Sequence, residues 1–546
     1  MKDIVFIADF FIPEISREAG ELFNEELINF LISSGFNVQK LKSQQITLDF
    51  LRNNKEKTFL IGNFVGLSSV VKAELRSGNY KYFLLIHDHP YIKSRNPLTY
   101  SNLAAPQSEI INEDFFSKAK AIFAQSKVHA EIIQKNLFLN QIVNLGCNLF
   151  SDHSLLLLED VFLFFQKQPK QYLFSVMESS NKIKGTQEAI KWLQTHKNII
   201  PHLIKSSDIK IFYEELAKTE TLVFFPQTYE TYSRVFVEAK ALGCRVITNK
   251  AVGVLSEIYS NKTGLEMIQE LRNGKKRVQN IFLDVLESLG TSTHFFIPFI
   301  SWPKVSLIST FYKGERFIQG YLDAFKNASL NYPGFSELIL IDANSPENEK
   351  KMLDEFQKNN PELNIKYVRT EDKITQGKAF NIAESISSGE YICVCLIDDR
   401  LGLNHFHLVK NLVFNKNIDL VYTDTFVSEI ENESYEQYIE RHKNIQKSNI
   451  HEHQRNSFSK ENMIKCLPGP YPVYRKEMSI KNGGWNDDMT HSVDWELWLR
   501  CVRNGSSFQK INYFPTAVYY QNPNGMSTSK DDKITKERRI CRIFSF

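Results

Sequence analysis

The sequence predicts an α/β fold in which parallel sheets and helices alternate along almost the whole chain. Short apolar runs of strand length alternate with segments of helical spacing, which is the pattern of parallel strands joined by crossover helices. The 546 residues exceed one ordinary core, and a prior of roughly 100–200 residues per domain predicts about two to four domains. We therefore expect two Rossmann-like domains, residues 1–150 and 151–302, followed by a separate α/β domain, residues 303–546.

Strand and helix signals follow in order along the sequence. In the first run a helix is predicted at 19–33, with strands at 4–8, 38–41, 58–62, 82–87, 122–124 and 141–145. In the second run helices are predicted at 185–196 and 232–242, with strands at 172–176, 221–225 and 245–248. A helical stretch from 261 passes into an aromatic linker, THFFIPFISWPK, and strands follow at 305–309, 337–341, 365–369 and 391–396.

Composition and cysteine usage favour a cytoplasmic protein. The net charge of +3 gives no reason to expect nucleic acid as a partner. The seven cysteines contain no C-x-x-C pair, which is typical of reduced thiols and not of a disulfide framework or a zinc site. The most apolar segment, 155–165, is interrupted by Glu159 and Asp160 and is too short to span a bilayer. The basic tail KITKERRICRIF could contact the inner face of a membrane, although a solvated end is the simpler expectation.

Polar side chains follow three strands of the C-terminal domain. The first strand ends in Thr310, Phe311 and Tyr312, and the next ends in ELILIDANSPENE. The apolar strand of GEYICVCLIDDR leads into Asp398 and Asp399. Ligands bind at the carboxyl ends of the strands in open α/β sheets, so we expect these groups to share one crevice.

The Asp398–Asp399 pair is a candidate Mg²⁺ or Mn²⁺ site, because these ions take oxygen ligands from one or two carboxylates and from substrate phosphates. Two other Asp pairs, at 487–488 and 531–532, stand in polar loop-like context and carry no such prediction. Further on, HSVDWELWLR places Asp494 before an amphipathic helix. Asp494 could take a proton from an acceptor hydroxyl, or it could be a helix N-cap.

The order and spacing of these features resemble the family 2 inverting glycosyltransferases, which have a GT-A fold. The resemblance covers about residues 304–528, including the GKAFN segment and GGWNDDM. It implies that Asp399 binds the metal, that Asp398 contacts the ribose or the metal, and that Asp494 is the catalytic base. The donor-binding residues that it implies are Thr310, Phe311, Asp342, Asn344 and Lys378.

Three further expectations belong to this resemblance. The family often has a second acid where this chain has Ala343, so a usual nucleobase contact is missing and the donor stays open among UDP-, GDP- and dTDP-sugars. PGPYPVYRKEM is expected either to form a pocket wall on the acceptor side or to be a structural turn. The segment QNPNGMST is expected to form a loop over the donor.

The most informative segment of the first 300 residues is FFPQTYETYSRVFVEAKALGCRVIT, in which Glu230 and Glu238 bracket a helix start. Helix N-termini bind phosphates, and a carboxylate there can hold sugar hydroxyls. In the simpler interpretation, Glu230 stabilises the first turn and Glu238 lies on a solvated face.

This segment resembles the C-terminal half of the family 4 retaining glycosyltransferases, which have a GT-B fold. The resemblance implies that Glu230 and Glu238 hold the donor, that Lys184 contacts its phosphates, and that His87 or His89 lies in the active site. VNLGCNLF resembles the turn between the two lobes of that family.

The chain also departs from the family 4 pattern. A usual basic residue is Ser179 here, so a phosphate clamp is lost. A glycine pair of the first loop is Glu18-Ala19, which hinders close approach to the donor.

The leading hypothesis is a bifunctional glycosyltransferase with a GT-B-like N-terminal pair of domains and a GT-A C-terminal domain. It would act on a glycan or lipid-linked glycan acceptor in the biosynthesis of a surface polysaccharide. In the alternative, only the C-terminal domain is catalytic and the N-terminal part is an acceptor-binding or assembly scaffold. A third interpretation is a non-catalytic glycan- or nucleotide-binding protein.

Overall fold

A computed structural model describes residues 3–12, 19–206, 208–287, 297–298, 300–442, 452–453, 455–511, 515–523, 525 and 532–544. The chain divides into two compact units. The first comprises residues 1–105 and 109–300, and the second comprises residues 106–108 and 301–546. No helix among the described residues is both long enough and apolar enough to cross a membrane.

The first half of the first unit is built on a six-stranded parallel sheet with the order β2-β1-β3-β4-β5-β6. Its elements are β1 (Asp3–Ala8), α1 (Ala19–Ser33), β2 (Asn37–Lys42), α2 (Leu48–Asn53), β3 (Thr58–Ile61), α3 (Ser69–Ser77), β4 (Lys81–Ile86), α4 (Glu113–Ser117), β5 (Ile122–Ala124), α5 (Lys127–Leu137) and β6 (Ile142–Asn144). Strands β1, β3, β4 and β5 are buried almost throughout, as expected for parallel strands that are covered on both faces.

A four-stranded parallel sheet with the order β10-β9-β7-β8 forms the second half of this unit. Its elements are α6 (Asp152–Phe165), β7 (Tyr172–Met177), α7 (Thr186–Lys197), β8 (His202–Ile204), α8 (Ile209–Ala217), β9 (Thr219–Phe224), α9 (Arg234–Ala241), β10 (Arg245–Thr248) and α10 (Gly264–Glu287). One hydrophobic cluster includes residues of both sheets and of α10, so the two halves share a core.

The second unit contains a seven-stranded sheet with the order β13-β12-β11-β14-β19-β16-β20, in which β19 runs antiparallel to both of its neighbours. A small sheet has the order β15-β21-β17-β18.

The first elements of the second unit are β11 (Val305–Phe311), α11 (Glu315–Asn331), β12 (Ser336–Asp342), α12 (Glu349–Asn359), β13 (Asn364–Arg369), α13 (Gln376–Ile386), β14 (Tyr391–Val394), β15 (Arg400–Leu401), α14 (Val409–Phe414), β16 (Leu420–Tyr422) and β17 (Thr425–Ser428). The remaining elements are α15 (Tyr435–His442), β18 (Glu452–His453), β19 (Val473–Arg475), α16 (Lys476–Lys481), α17 (Val493–Arg503), β20 (Phe508–Lys510), β21 (Ala517–Tyr520) and α18 (Asp532–Phe544).

The predicted α/β class is confirmed. The expectation of a solvated C-terminal tail is wrong for one face of α18. Ile534, Glu537 and Cys541 are buried there, and Cys541 belongs to the hydrophobic cluster that contains much of α17. They recur at spacings of three and four residues, which places them on one side of the helix. The basic residues of the tail therefore lie on a helix that is packed against the second unit.

Candidate active site

A cavity of about 890 Å³ opens in the second unit where the strand order of the large sheet changes direction. The central strand β11 has β12 on one side and β14 on the other, and all three are parallel. Thr310 and Phe311 at the end of β11, Ala343 after β12, and Asp398 and Asp399 after β14 line the cavity. This is the place where open α/β sheets bind ligands.

A tight turn after β14 sets the positions of the two aspartates. The Asp399 N–H donates to the Leu396 carbonyl, and one Asp399 carboxylate oxygen accepts the Tyr520 N–H at 2.9 Å. Asp399 is 2% exposed, whereas Asp398 is only partly buried. Burial raises the pKa of Asp398, and burial together with the charge of Asp398 holds the pKa of Asp399 well above its usual range.

These two carboxylates suit a divalent cation that completes its coordination with other oxygens. Among the described residues no group of three or more His, Cys, Asp and Glu side chains could hold a metal ion by itself. Adjacent carboxylates that repel each other in a buried position gain stability from a cation, and Mg²⁺ and Mn²⁺ accept substrate phosphate oxygens as further ligands. The residues present therefore fit a metal that binds together with a diphosphate.

Asp494 lines the same cavity and lies in the first turn of α17. Ser492 occupies the N-cap position, so the N-cap interpretation of Asp494 is wrong. The Cys466 thiol donates to one Asp494 oxygen at 3.3 Å. Burial raises the pKa of Asp494, and the Cys466 thiol and the Trp495 N–H partly offset this rise. A partly buried carboxylate with a raised pKa is suited to accept a proton.

Three residues that the sequence predicts as donor-binding lie outside the cavity lining. The Asp342 carboxylate is buried, and it accepts the Ser345 N–H at 2.6 Å and the Tyr367 hydroxyl at 2.5 Å. Asn344 donates its amide to the Glu371 carbonyl. Lys378 is exposed. In this structure, the Asp342 carboxylate therefore supports the turn after β12.

The cavity wall also contains residues that the sequence interpretation missed. Arg538 and Arg542 of α18 line it, and so does Lys373, whose ammonium lies 3.8 Å from the Tyr312 ring centroid. The two arginines are four residues apart and thus lie one above the other on a helix, but a helix in the tail was not predicted. In PGPYPVYRKEM, Pro470 and Pro472 contribute to the wall, whereas QNPNGMST lies partly outside the described residues.

Comparison with known proteins supplies the family of this unit. Residues 306–483 match the family described as Glycosyl transferase family 2. These residues form a family 2 glycosyltransferase domain. An uncharacterized glycosyltransferase of Methanocaldococcus jannaschii is 23% identical over 229 residues, which are 41% of this chain and 72% of that protein. The chain therefore contains a glycosyltransferase domain of the nucleotide-sugar-dependent type.

Solved structures of glycosyltransferases are also similar to the chain. A mannosyltransferase of Pyrobaculum calidifontis, in complex with GDP-Man and Mn²⁺, is 16% identical, with a TM-score of 0.31, over 41% of this chain and 59% of that one. S. aureus TarS 1–349, in complex with UDP-GlcNAc, is 14% identical, with a TM-score of 0.35, over 44% of this chain and 66% of that one. The chain spans less than two thirds of either structure.

The first unit, outside the glycosyltransferase domain, brings Lys184 and Glu230 together. The Lys184 ammonium lies 2.9 Å from a Glu230 carboxylate oxygen. Glu230 follows β9, and its backbone pairs with the segment around Val252. In the parallel sheet of the second half, β7 lies between β8 and β9, so this ion pair stands near the point where the strand order reverses.

Glu238 is placed differently from Glu230. It is 5% exposed, and one of its oxygens lies 3.1 Å from the Tyr213 hydroxyl and 3.4 Å from the Arg234 Nε. The Arg234 guanidinium also donates to the Leu149 carbonyl and stacks 3.9 Å from the Phe150 ring centroid. The interpretation of Glu238 as a residue on a solvated face is therefore wrong.

Of the two candidate histidines of the first unit, His89 is buried and His87 is partly buried. His87 Nε2 lies 2.8 Å from the Asn24 side-chain oxygen, and burial lowers the pKa of His87 to about 4. His89 lies 2.8 Å from the Tyr91 hydroxyl, and burial lowers its pKa to about 4 as well. The ring of His87 packs against Gly20, where an added Cβ would approach it to 3.3 Å. Glu18 and Ala19 stand where the family 4 pattern has a glycine pair, and of these two residues Glu18 lies outside the described residues.

Proposed function

We propose that the second unit transfers a sugar from a nucleotide-sugar donor to a hydroxyl of a glycan acceptor, with inversion at the anomeric carbon. The observation that carries this proposal is a single cavity lined by the Asp398–Asp399 pair and by Asp494. A metal site for a diphosphate and a candidate base in one cavity are the two groups that such a transfer needs. The donor is a UDP-, GDP- or dTDP-sugar.

The donor end of the cavity lies at the carboxyl ends of β11 and β14. Asp398 is the more accessible carboxylate, and we assign it as the first metal ligand, with the more deeply buried Asp399 beside it. A bound Mn²⁺ or Mg²⁺ would neutralise charge on the leaving nucleoside diphosphate. Thr310 and Phe311 line the cavity next to this pair of aspartates. Both side chains are buried, which limits water around the donor.

Asp494 acts as the base in this proposal. The acceptor hydroxyl gives its proton to the Asp494 carboxylate while its oxygen forms a bond to the anomeric carbon. The bond from that carbon to the diphosphate oxygen breaks, and the nucleoside diphosphate takes the electron pair. The Cys466 thiol donates to one Asp494 oxygen and so helps to orient the carboxylate.

For the first unit, the position of Glu238 favours the scaffold hypothesis over a second transferase. Its carboxylate is held by Arg234 and Tyr213 within the protein. A carboxylate that is 5% exposed and paired with a buried guanidinium is costly to divert to a donor ribose. We propose that the first unit binds or positions the acceptor without catalysing a transfer.

A donor screen on the full-length protein tests both parts of the proposal. Nucleotide release and sugar transfer would be followed with and without Mn²⁺ for UDP-, GDP- and dTDP-sugars. We expect Asp399→Asn to abolish all transfer, and Glu230→Ala to leave every transfer step intact. Transfer that persists in Asp399→Asn and is lost in Glu230→Ala would instead establish a second active site in the first unit. Equal, metal-independent transfer by wild type and Asp399→Asn would refute the assignment of the metal site.

A further inference from the structure

The wall of the cavity carries more positive than negative charge. Among the described residues that line it, three are carboxylates, Asp398, Asp399 and Asp494, and the remaining charged side chains are cations. The cations come from separate parts of the unit, and they are Lys313, Arg316, Lys373, Lys465, Arg538 and Arg542. A wall with this balance attracts anionic ligands.

Helix α18 is fixed to the segment that leads into the candidate base. The Glu537 carboxylate accepts the backbone N–H groups of Thr490 and His491, the latter at 2.7 Å. Burial of Ile534 and Cys541 holds the same face of the helix against the unit. The turn just before α17, which begins at Val493, is therefore tied directly to α18.

Two of the cations stand on this tethered helix. Arg538 and Arg542 are four residues apart, so their guanidinium groups project from one side of α18 into the cavity lining. Lys465 reaches the lining beside Cys466, which itself contacts Asp494. These three cations therefore belong to the side of the cavity that holds the base.

The part of the cavity at the strand ends has its own cations for the donor. Lys313 follows β11 and Lys373 follows β13, so both stand with the strand ends where the nucleotide is proposed to bind. A metal at Asp398 and Asp399 would add further positive charge at that end. The donor diphosphate therefore does not require the arginines of α18.

We propose that Arg538 and Arg542 bind a phosphate group of the acceptor, so that the acceptor is a phosphorylated or phosphodiester-linked glycan and not a neutral one. This inference rests on the proposed function, because the acceptor must approach Asp494. Guanidinium groups suit the task, since they present several N–H donors that match phosphate oxygens in bidentate geometry. The helix would position the acceptor hydroxyl over the base through its charged substituent.

Binding to the full-length protein, saturated with Mn²⁺ and the nucleoside diphosphate that it binds, tests the proposal. Glycerol 1-phosphate and glycerol are the charged and neutral probes, measured by calorimetry. We expect glycerol 1-phosphate to bind and the double variant Arg538→Gln/Arg542→Gln to weaken its binding at least about tenfold, because charge-assisted contacts are lost. Arg539→Gln is the matched control, since Arg539 is exposed on the same helix and does not line the cavity.

The affinity for the nucleoside diphosphate separates the two sources of phosphate. We expect it to stay within about twofold of wild type in the double variant, because the metal and the strand-end lysines bind the donor. If it falls as much as the glycerol 1-phosphate affinity, the arginines hold the donor and the proposal is overturned. The proposal is also overturned if the double variant and Arg539→Gln bind glycerol 1-phosphate equally, or if the loaded wild type does not bind it.

Two further measurements keep the test decisive. Added salt should weaken glycerol 1-phosphate binding to the wild type, because charges at an open cavity wall are screened over about 10 Å at 0.1 M salt. An affinity that does not depend on salt would contradict the proposal. Failure of the proposed function has a different signature, namely the absence of Mn²⁺-dependent nucleotide binding in the wild type. Melting temperatures confirm folding, since the substitutions spare the buried Ile534, Glu537 and Cys541.

Discussion

Replacing Asp494 with Asn should separate catalysis from stability in the second unit. The change keeps the shape of a side chain that lines the cavity and accepts the Cys466 thiol, but it removes the group that takes the proton. General-base catalysis contributes about 10²- to 10⁴-fold, so we expect kcat to fall by that factor. The affinity for the donor should not change, because the donor is proposed to bind at the strand ends and not at α17.

The expected effect on stability follows from the direction of the pKa shift. Burial raises the pKa of Asp494 above its unfolded value, so the fold favours the protonated acid. The contribution of Asp494 to the free energy of unfolding is fully present below its pKa in the unfolded state. It is lost as the pH rises through its pKa in the folded state. At neutral pH the neutral Asn removes that penalty, while loss of a negative charge near a helix N-terminus costs about 0.3–1 kcal/mol. We expect the free energy of unfolding to rise or to stay within about 1 kcal/mol of wild type.

Steady-state kinetics across pH and denaturant unfolding check both expectations. In the wild type, kcat/KM should rise with pH through an apparent pKa above the usual carboxyl range, and this limb should be absent in Asp494→Asn. The matched control is Glu496→Gln, on the same helix, where the carboxylate pairs with Arg500 and does not line the cavity. It should keep wild-type kcat. Undiminished transfer by Asp494→Asn, or lost donor binding in a destabilised protein, would refute the assignment.

Substitutions at three other positions have expected outcomes. Because the Cys466 thiol lowers the pKa of Asp494, Cys466→Ala should move the rising limb of kcat/KM to higher pH, whereas Cys466→Ser, which keeps a donor, should not. Glu238→Ala leaves Arg234 buried without its carboxylate partner and should lower the free energy of unfolding by about 3–5 kcal/mol, measured in denaturant, with transfer retained below the midpoint. Glu384→Ala leaves buried hydrogen-bond donors without an acceptor, among them the Trp485 Nε1–H, which donates to Glu384 at 2.9 Å. It should lower the free energy of unfolding by at least about 3 kcal/mol, and Glu384→Gln should lower it less.

The sequence could predict which strand ends meet, but not which side chains remain available there. Asp398 follows β14 and Thr310 lies at the end of the parallel strand β11, so their convergence follows from topology. Asp342 also ends such a strand, yet Tyr367 and Arg369 on the neighbouring strand engage its carboxylate. The contact of Tyr367 and Arg369 with the Asp342 carboxylate depends on the register between β12 and β13. The periodicity of the sequence does not reveal this register.

Long-range packing explains the other departures from the sequence predictions. The tail reads as basic and partly apolar, and only the packing of α18 beside α17 shows that Cys541 is buried. In the same way, the simpler interpretation of Glu238 as a surface residue missed its partner Tyr213, which lies 25 positions earlier in the chain. Contacts at such separation leave no local pattern in composition or spacing. The contribution of Arg538 and Arg542 to the cavity wall was therefore beyond prediction from sequence alone.

Whether Asp398 and Asp399 act as one metal site can be decided by a double-mutant cycle. If both carboxylates serve the same ion, either Asn substitution removes most of the binding, and the double variant should lose little more, because residues that act as a unit are not additive. The measurable quantity is the Mn²⁺-dependent rise in the free energy of unfolding of the wild type, about 2.7 kcal/mol at a hundredfold excess over Kd. Burial, together with the repulsion between the two carboxylates, raises the pKa of Asp399. Without metal each single variant should therefore be more stable than wild type, because it removes one of the two charges. Additive losses of Mn²⁺ stabilisation, or single variants that are less stable without metal, would contradict a shared site.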